Sequence, residues 1–210
     1  MILVKRLLDN GASLTEVDSL AMEATPLHLA ARYGHIKITK MFLEKGAEIG
    51  ARTLDGWTPL HDAAYNDHTE IINILLDAHV DVDIRTAQEE TPFILASMRG
   101  KVEAMRLLLQ KGANLNARTD KKWTALHHAL CGDVQESVDV ILNEASTLTG
   151  GQAPDIEART ESGWVCHQPL HWPYYANDFA DSFARSVIAW KSRYGGHARI
   201  IRCRSRFKRR

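Results

Sequence analysis

The tetrapeptide Thr25-Pro26-Leu27-His28 returns as Thr58-Pro59-Leu60-His61, then as Thr91-Pro92-Phe93-Ile94 and Thr124-Ala125-Leu126-His127, each copy 33 residues after the last. A second landmark keeps the same beat: Phe42-Leu43-Glu44-Lys45-Gly46-Ala47, Leu75-Leu76-Asp77-Ala78-His79-Val80 and Leu108-Leu109-Gln110-Lys111-Gly112-Ala113. Leu7-Leu8-Asp9-Asn10-Gly11-Ala12 is an earlier, less evenly spaced copy. A period of this length constrains the fold more than any other feature. It marks stacked units, none of which buries its apolar face alone.

Each unit makes local physical sense. The threonine is placed to cap a helix, and proline sits in its first turn, where a missing N–H costs nothing. The following LHLAA or LHDAA keeps that helix short and its flank small, so neighbouring units approach closely. Gly34 or Gly100 ends it, and a second, amphipathic helix follows, as in Ile36 through Leu43 or Ile71 through Leu76. Gly46 or Gly112 then closes that helix in the left-handed conformation glycine adopts cheaply. A polar turn such as ARTLDG leads to the next threonine. The expected fold is all-α: a solenoid of stacked helix-turn-helix units with β-turn tips.

TPLH at 25–28 and 58–61, the LLxxGA closures and the 33-residue step resemble the ankyrin repeat over roughly residues 1–165. The resemblance implies a partial first unit and units starting near 25, 58, 91 and 124, with a degenerate unit from about 158. It implies that His28, His61 and His127 tie adjacent units together through backbone groups, a tie that Ile94 cannot make. It also implies a concave face, built from turn tips and first helices, that grips another protein.

The pattern has informative breaks. His79 and Ala145 stand where Gly46 and Gly112 close the second helix, so a left-handed backbone there carries a penalty of roughly 1 kcal/mol. STLTGGQAP after Ala145 reads as a lengthened turn. Ile2, Leu3, Val4, Leu7 and Leu8 read as a second helix without its first, an end that calls for a cap or a covering partner. At ESGWVCHQPLHWPYY, residues 161–175, the chain begins a further unit with Val165, Cys166 and His167 in excess and Pro173 where a helix should run. Cys166, His167 and His171 lack a fourth ligand, so a broken repeat is expected and no metal site. Residues 166–195 are expected to be a degenerate repeat or capping helix, with Asn177 as cap and Gly195 as closure, and 196–210 a basic tail.

Charge is divided along the chain. Residues 1–181 carry 16 Lys and Arg against 26 Asp and Glu, whereas 182–210 carry ten Lys and Arg and no acid. The tail leaves open contact with nucleic acid as a nuclear regulator. Cys131, Cys166 and Cys203 form no CxxC pair, which speaks against a disulfide framework. With no apolar leader and no span-length apolar run, a cytoplasmic or nuclear location is expected.

Nothing suggests catalysis. GxSxG, Walker, GxGxxG and HExxH motifs are absent, and the glycines fall at turn positions. No catalytic, cofactor-binding or metal residue is expected. Function is expected on the surface instead, as a protein-binding adaptor or scaffold, or alternatively as a structural segment of a longer array. The candidate partner-binding residues are Arg52, Asp55, Trp57, Tyr65, Arg85, Arg99, Arg118, Lys121 and Trp123, with Arg159 and Trp164 continuing the rows and Arg32 and Asn66 on the first helices. Trp, Tyr and Arg are the types that most often dominate interfaces.

Overall fold

The computed structural model describes residues 2–18, 22–132, 134–163 and 165. Trp164, the proposed broken repeat with Cys166, His167 and His171, the expected helix after Asn177 and the basic tail lie outside the described residues. At the N-terminal end stands α1 (Ile2–Asp9). Helix pairs follow: α2 (Pro26–Arg32) with α3 (Ile36–Glu44), α4 (Pro59–Tyr65) with α5 (Thr69–Asp77), α6 (Pro92–Met98) with α7 (Val102–Gln110), and α8 (Ala125–Cys131) with α9 (Gln135–Asp139). The last of these runs on through a π-helical turn, Val140–Glu144, into α10 (Ala145–Leu148).

Why the first helices start where they do is visible in the dihedrals. Thr25, Thr58, Thr91 and Thr124 are all extended N-caps, and Pro26, Pro59 and Pro92 open the helices that follow the first three. The first helices stack on one another in the order α2, α4, α6, α8, and the second helices form a parallel row behind them. Ala31, Ala63, Ala64, Ala96 and Ala129 are almost wholly buried along this stack, so the small flank of each first helix is what lets the next come close. Ile71, Ile72, Leu75, Met105, Leu108 and Leu109 fill the space between the two rows. A smaller cluster of Leu27, Ala30 and Phe42 receives Val4 and Leu8 from α1, while Ile2, Leu3 and Leu7 remain exposed.

The second helices close as the glycines require. Gly46 and Gly112 have φ of 81° and 91°, and the Ala47 and Ala113 amides reach back to the Phe42 and Leu108 carbonyls, both at 2.9 Å. That is the Schellman arrangement. His79 takes the same left-handed conformation, with φ 65°. Ala145 does not: its φ is −56°, and the helix continues past it. The expectation of a closure at Ala145 is therefore corrected. The π turn over 140–144 carries the chain one turn further, so Ser146, Thr147 and Leu148 of the supposed loop are helical, and Gly150 and Gly151, with φ of 70° and 116°, end the run instead.

The turn tips form a line of their own. Each tip donates a backbone N–H to the tip before it: Leu54 to Met22, Ala87 to Asp55, Asp120 to Gln88 and Glu161 to Lys121, at 3.0, 3.0, 3.1 and 3.0 Å. Gly56 sits close against this line. Its φ is 74°, and a Cβ there would lie 2.7 Å from the Ala87 nitrogen. Glu89 and Lys122 take the equivalent place in later units with φ of 61°.

Two substitutions test these closures. His79→Gly removes a strained side chain that is exposed and is expected to raise the melting temperature by about 2–4 °C, the shift that roughly 1 kcal/mol produces in a chain of this size. Gly56→Ala is expected to lower it, because the new methyl meets backbone. Differential scanning calorimetry of both variants reads the opposite signs directly.

Candidate protein-binding face

The histidine ties are built from both ring nitrogens. His61 Nδ1 accepts from the Thr58 backbone N–H at 3.1 Å, while Nε2 lies 3.1 and 3.2 Å from the Ile84 and Glu90 carbonyls. Carbonyls only accept, so the proton resides on Nε2 and the ring is neutral. His28 repeats the arrangement, with Nδ1 at the Thr25 N–H and Nε2 at 3.0 Å from the Trp57 carbonyl. Each imidazole thus caps its own helix and holds the next tip. Burial lowers the pKa of His28, and it lowers that of His61 to about 4, the backbone carbonyls opposing it only in part. Ile94 makes no such tie. In its unit the Ser97 hydroxyl donates to the Ala125 carbonyl at 3.0 Å, and Ser137 donates to Ser97 at 2.7 Å.

The arginine row proves to be part of the frame. Arg52 donates to the Arg85 carbonyl at 2.7 Å, Arg85 donates to the Arg118 carbonyl at 2.9 Å, and Arg118 donates to the Arg159 carbonyl. Each guanidinium also folds back on its own tip, to the carbonyls of Gly56, Glu89 and Lys122. These side chains staple successive tips, which explains their period without reference to a partner. Trp123 lies against His127 and His128, with centroids 6.1 and 5.0 Å apart, and Lys121 is exposed at the same tip.

A different subset converges. Trp57 meets Tyr65 edge to face at 5.3 Å, and the Arg99 guanidinium lies 4.9 Å from the Tyr65 ring centre on its other neighbour, α6. Trp57, Tyr65 and Asp55 line a groove of about 300 Å³ together with Met22, Arg32, Thr53, Asp62 and Asn66. Arg32 and Asn66 were legible as first-helix residues of this face. Asp62 was not singled out, although the signal was present: it stands where neighbouring units carry Leu29 and Leu95.

Asp62 is 1% exposed. Its Oδ1 accepts from Arg32 Nε at 2.9 Å, and its Oδ2 is buried with no hydrogen-bond partner among the described residues. Burial pushes its pKa up to about 6, against the pull of the Arg32 guanidinium. No group of three or more His, Cys, Asp and Glu among the described residues is arranged to hold a metal ion. Within the described residues, no helix is long and apolar enough to cross a membrane.

The pH consequences of Asp62 and the histidines oppose each other. His61 folds to a depressed pKa, so its share of stability is complete above pH 6.5 and drains away toward pH 4, costing about 2 kcal/mol between pH 7 and 5. Asp62 folds to a raised pKa, so the folded chain binds its proton first and gains about 1 kcal/mol over the same interval. Asp62→Asn is therefore expected to steepen the fall in stability between pH 7 and 5 by about that amount. Urea titrations of both proteins at the two pH values measure it, and parallel slopes would refute it.

A family model described as ankyrin repeats (3 copies) matches residues 2–86 and 78–149. Comparison with curated proteins gives no match.

Proposed function

The chain belongs to the ankyrin-repeat family, and on that premise we propose that it is a non-catalytic adaptor or scaffold that binds another protein on its concave face. Ankyrin repeats are in general protein–protein interaction modules and in general not enzymes. The observation that carries the reading is the groove at Trp57 and Tyr65, where aromatic, apolar and charged side chains meet on the face made by the tips and first helices. Asp55, Arg99 and Lys121 are exposed around it and along it. Of the nine candidate residues these, with Trp57 and Tyr65, stand nearest the groove, while Arg52, Arg85 and Arg118 each give one nitrogen to a neighbouring tip and Trp123 packs on His127 and His128.

The test follows from that division. A variant carrying Asp55→Ala, Tyr65→Ala, Arg99→Glu and Lys121→Glu leaves the arginine staples intact and is first checked for unchanged melting. Quantitative affinity capture from source cells is expected to recover a protein with the native chain and lose it with the variant. Identical captures from the two would overturn the reading and favour a purely structural role.

A further inference from the structure

The groove has a chemistry of its own. Its walls are the Trp57 and Tyr65 rings and the Met22 side chain, contributed by two successive tips and by α4. At its base lies Asp62, whose one satisfied oxygen is held by Arg32 and whose other oxygen has no partner among the described residues. Asp55 adds a second carboxylate at the exposed rim. Asn66 donates its amide nitrogen to the Asp62 carbonyl at 2.8 Å, which leaves its amide oxygen as a further acceptor. Two carboxylates and the Arg32 guanidinium line the groove, with Arg99 beside the Tyr65 ring, so its base and floor are rich in acceptors.

A buried carboxylate oxygen without a hydrogen bond is costly, and a donor that reaches it recovers more than an ordinary surface contact would. An aromatic face attracts a cation through its quadrupole, as Arg99 demonstrates on the Tyr65 ring. The occupant that satisfies both is a cationic side chain entering the groove alongside the aromatic pair. Because Arg32 already holds Oδ1, only one oxygen is offered, and the two-pronged grip that favours a guanidinium is not available. A compact ammonium on a flexible aliphatic stem fits a single acceptor at the end of an apolar-walled groove.

We propose that this groove is the recognition site for a lysine side chain of the protein partner, its ammonium directed at Asp62 Oδ2 at the base and its stem lying against Met22 and the contacting pair of Trp57 and Tyr65. The inference rests on the partner-binding reading of the concave face and gives that face its chemical preference. The acidic balance of residues 1–181, 16 basic against 26 acidic side chains, favours approach of a basic segment.

The test uses the full-length chain and small probes: the N-acetyl amides of lysine, arginine, glutamine and norleucine. Each is titrated by NMR against ¹⁵N-labelled protein, following the Trp57 indole N–H and the Asn66 side-chain amide. The expected result is saturable shifts of both signals with lysine amide, at least fivefold weaker binding of norleucine and glutamine amides, and weaker binding of arginine amide. Asp62→Asn is expected to weaken lysine amide about tenfold, and Asp55→Asn, at an exposed position outside the core, about twofold. Norleucine amide binding as well as lysine amide, or Asp62→Asn leaving the affinity unchanged, would overturn the proposal. Tighter binding of arginine amide would overturn the choice of occupant. Should the probes show no lysine preference while the four-site variant still loses a captured protein, the lysine site falls and the binding face stands. Should both fail, the face falls with it.

Discussion

One proton on one imidazole nitrogen does a large share of the organising in this molecule. In His28 and His61 the same ring closes the start of its own helix through Nδ1 and holds the following tip through Nε2. Both bonds require the neutral Nε2–H form, since a charged ring could not accept from the threonine N–H. Burial is therefore cause and condition together: it keeps the ring neutral, and the neutral ring is what can bridge two units. Where Ile94 removes the imidazole, the chain moves the inter-unit bond to a hydroxyl one turn along, at Ser97. Loss of a polar tie is thus matched by another polar tie rather than by packing alone.

A further set of inter-unit bonds runs along the tips. Backbone amides reach back to the preceding tip and arginine side chains reach forward to the next, so each tip is held from both sides. Asp67 and Asp83 act from their loops, accepting the Ala104 and Asn114 amides of the next unit at 2.8 and 3.0 Å. The Ala104 amide lies in the first turn of α7, where a carboxylate also meets the positive end of the helix dipole. Asp67 makes this bond from a left-handed backbone with φ 66°, a position that Gly34 and Gly100 fill in neighbouring units. A local cost there is offset by a bond to the next unit, which is how a one-dimensional stack converts local strain into cohesion.

Much of the frame was legible because its causes are local and periodic. Threonine caps, N1 prolines, small first-helix flanks and left-handed closures each follow from residue type at a fixed offset, and they fall where the 33-residue step puts them. Ala145 was misplaced for a physical reason: the π turn shifts the register by inserting a residue into the helix, and a periodic rule cannot anticipate a change of winding. The arginine row, read from the same periodicity as a surface for a partner, also bonds to the next tip. A repeated residue on a repeated frame is weak evidence for binding, since repetition is what the frame itself needs. Asp62 escaped notice for the converse reason. It occurs once, its partner Arg32 is 30 residues away, and only the fold brings the two together.

That asymmetry bears on where function resides in such a stack. At the place of Asp62 the units on either side use leucine, and a leucine there would be buried without desolvating a charge. Arg32 recovers part of the cost through one oxygen, but the other oxygen is left with none, and the raised pKa expresses the net penalty. A side chain that works against the stability of its own fold, in a groove walled by an aromatic pair, is the feature on which the proposed lysine contact rests. The periodic residues explain why the solenoid stands; the exceptions to the period, of which Asp62 is the most deeply buried charge among the described residues, are where its selectivity is to be sought.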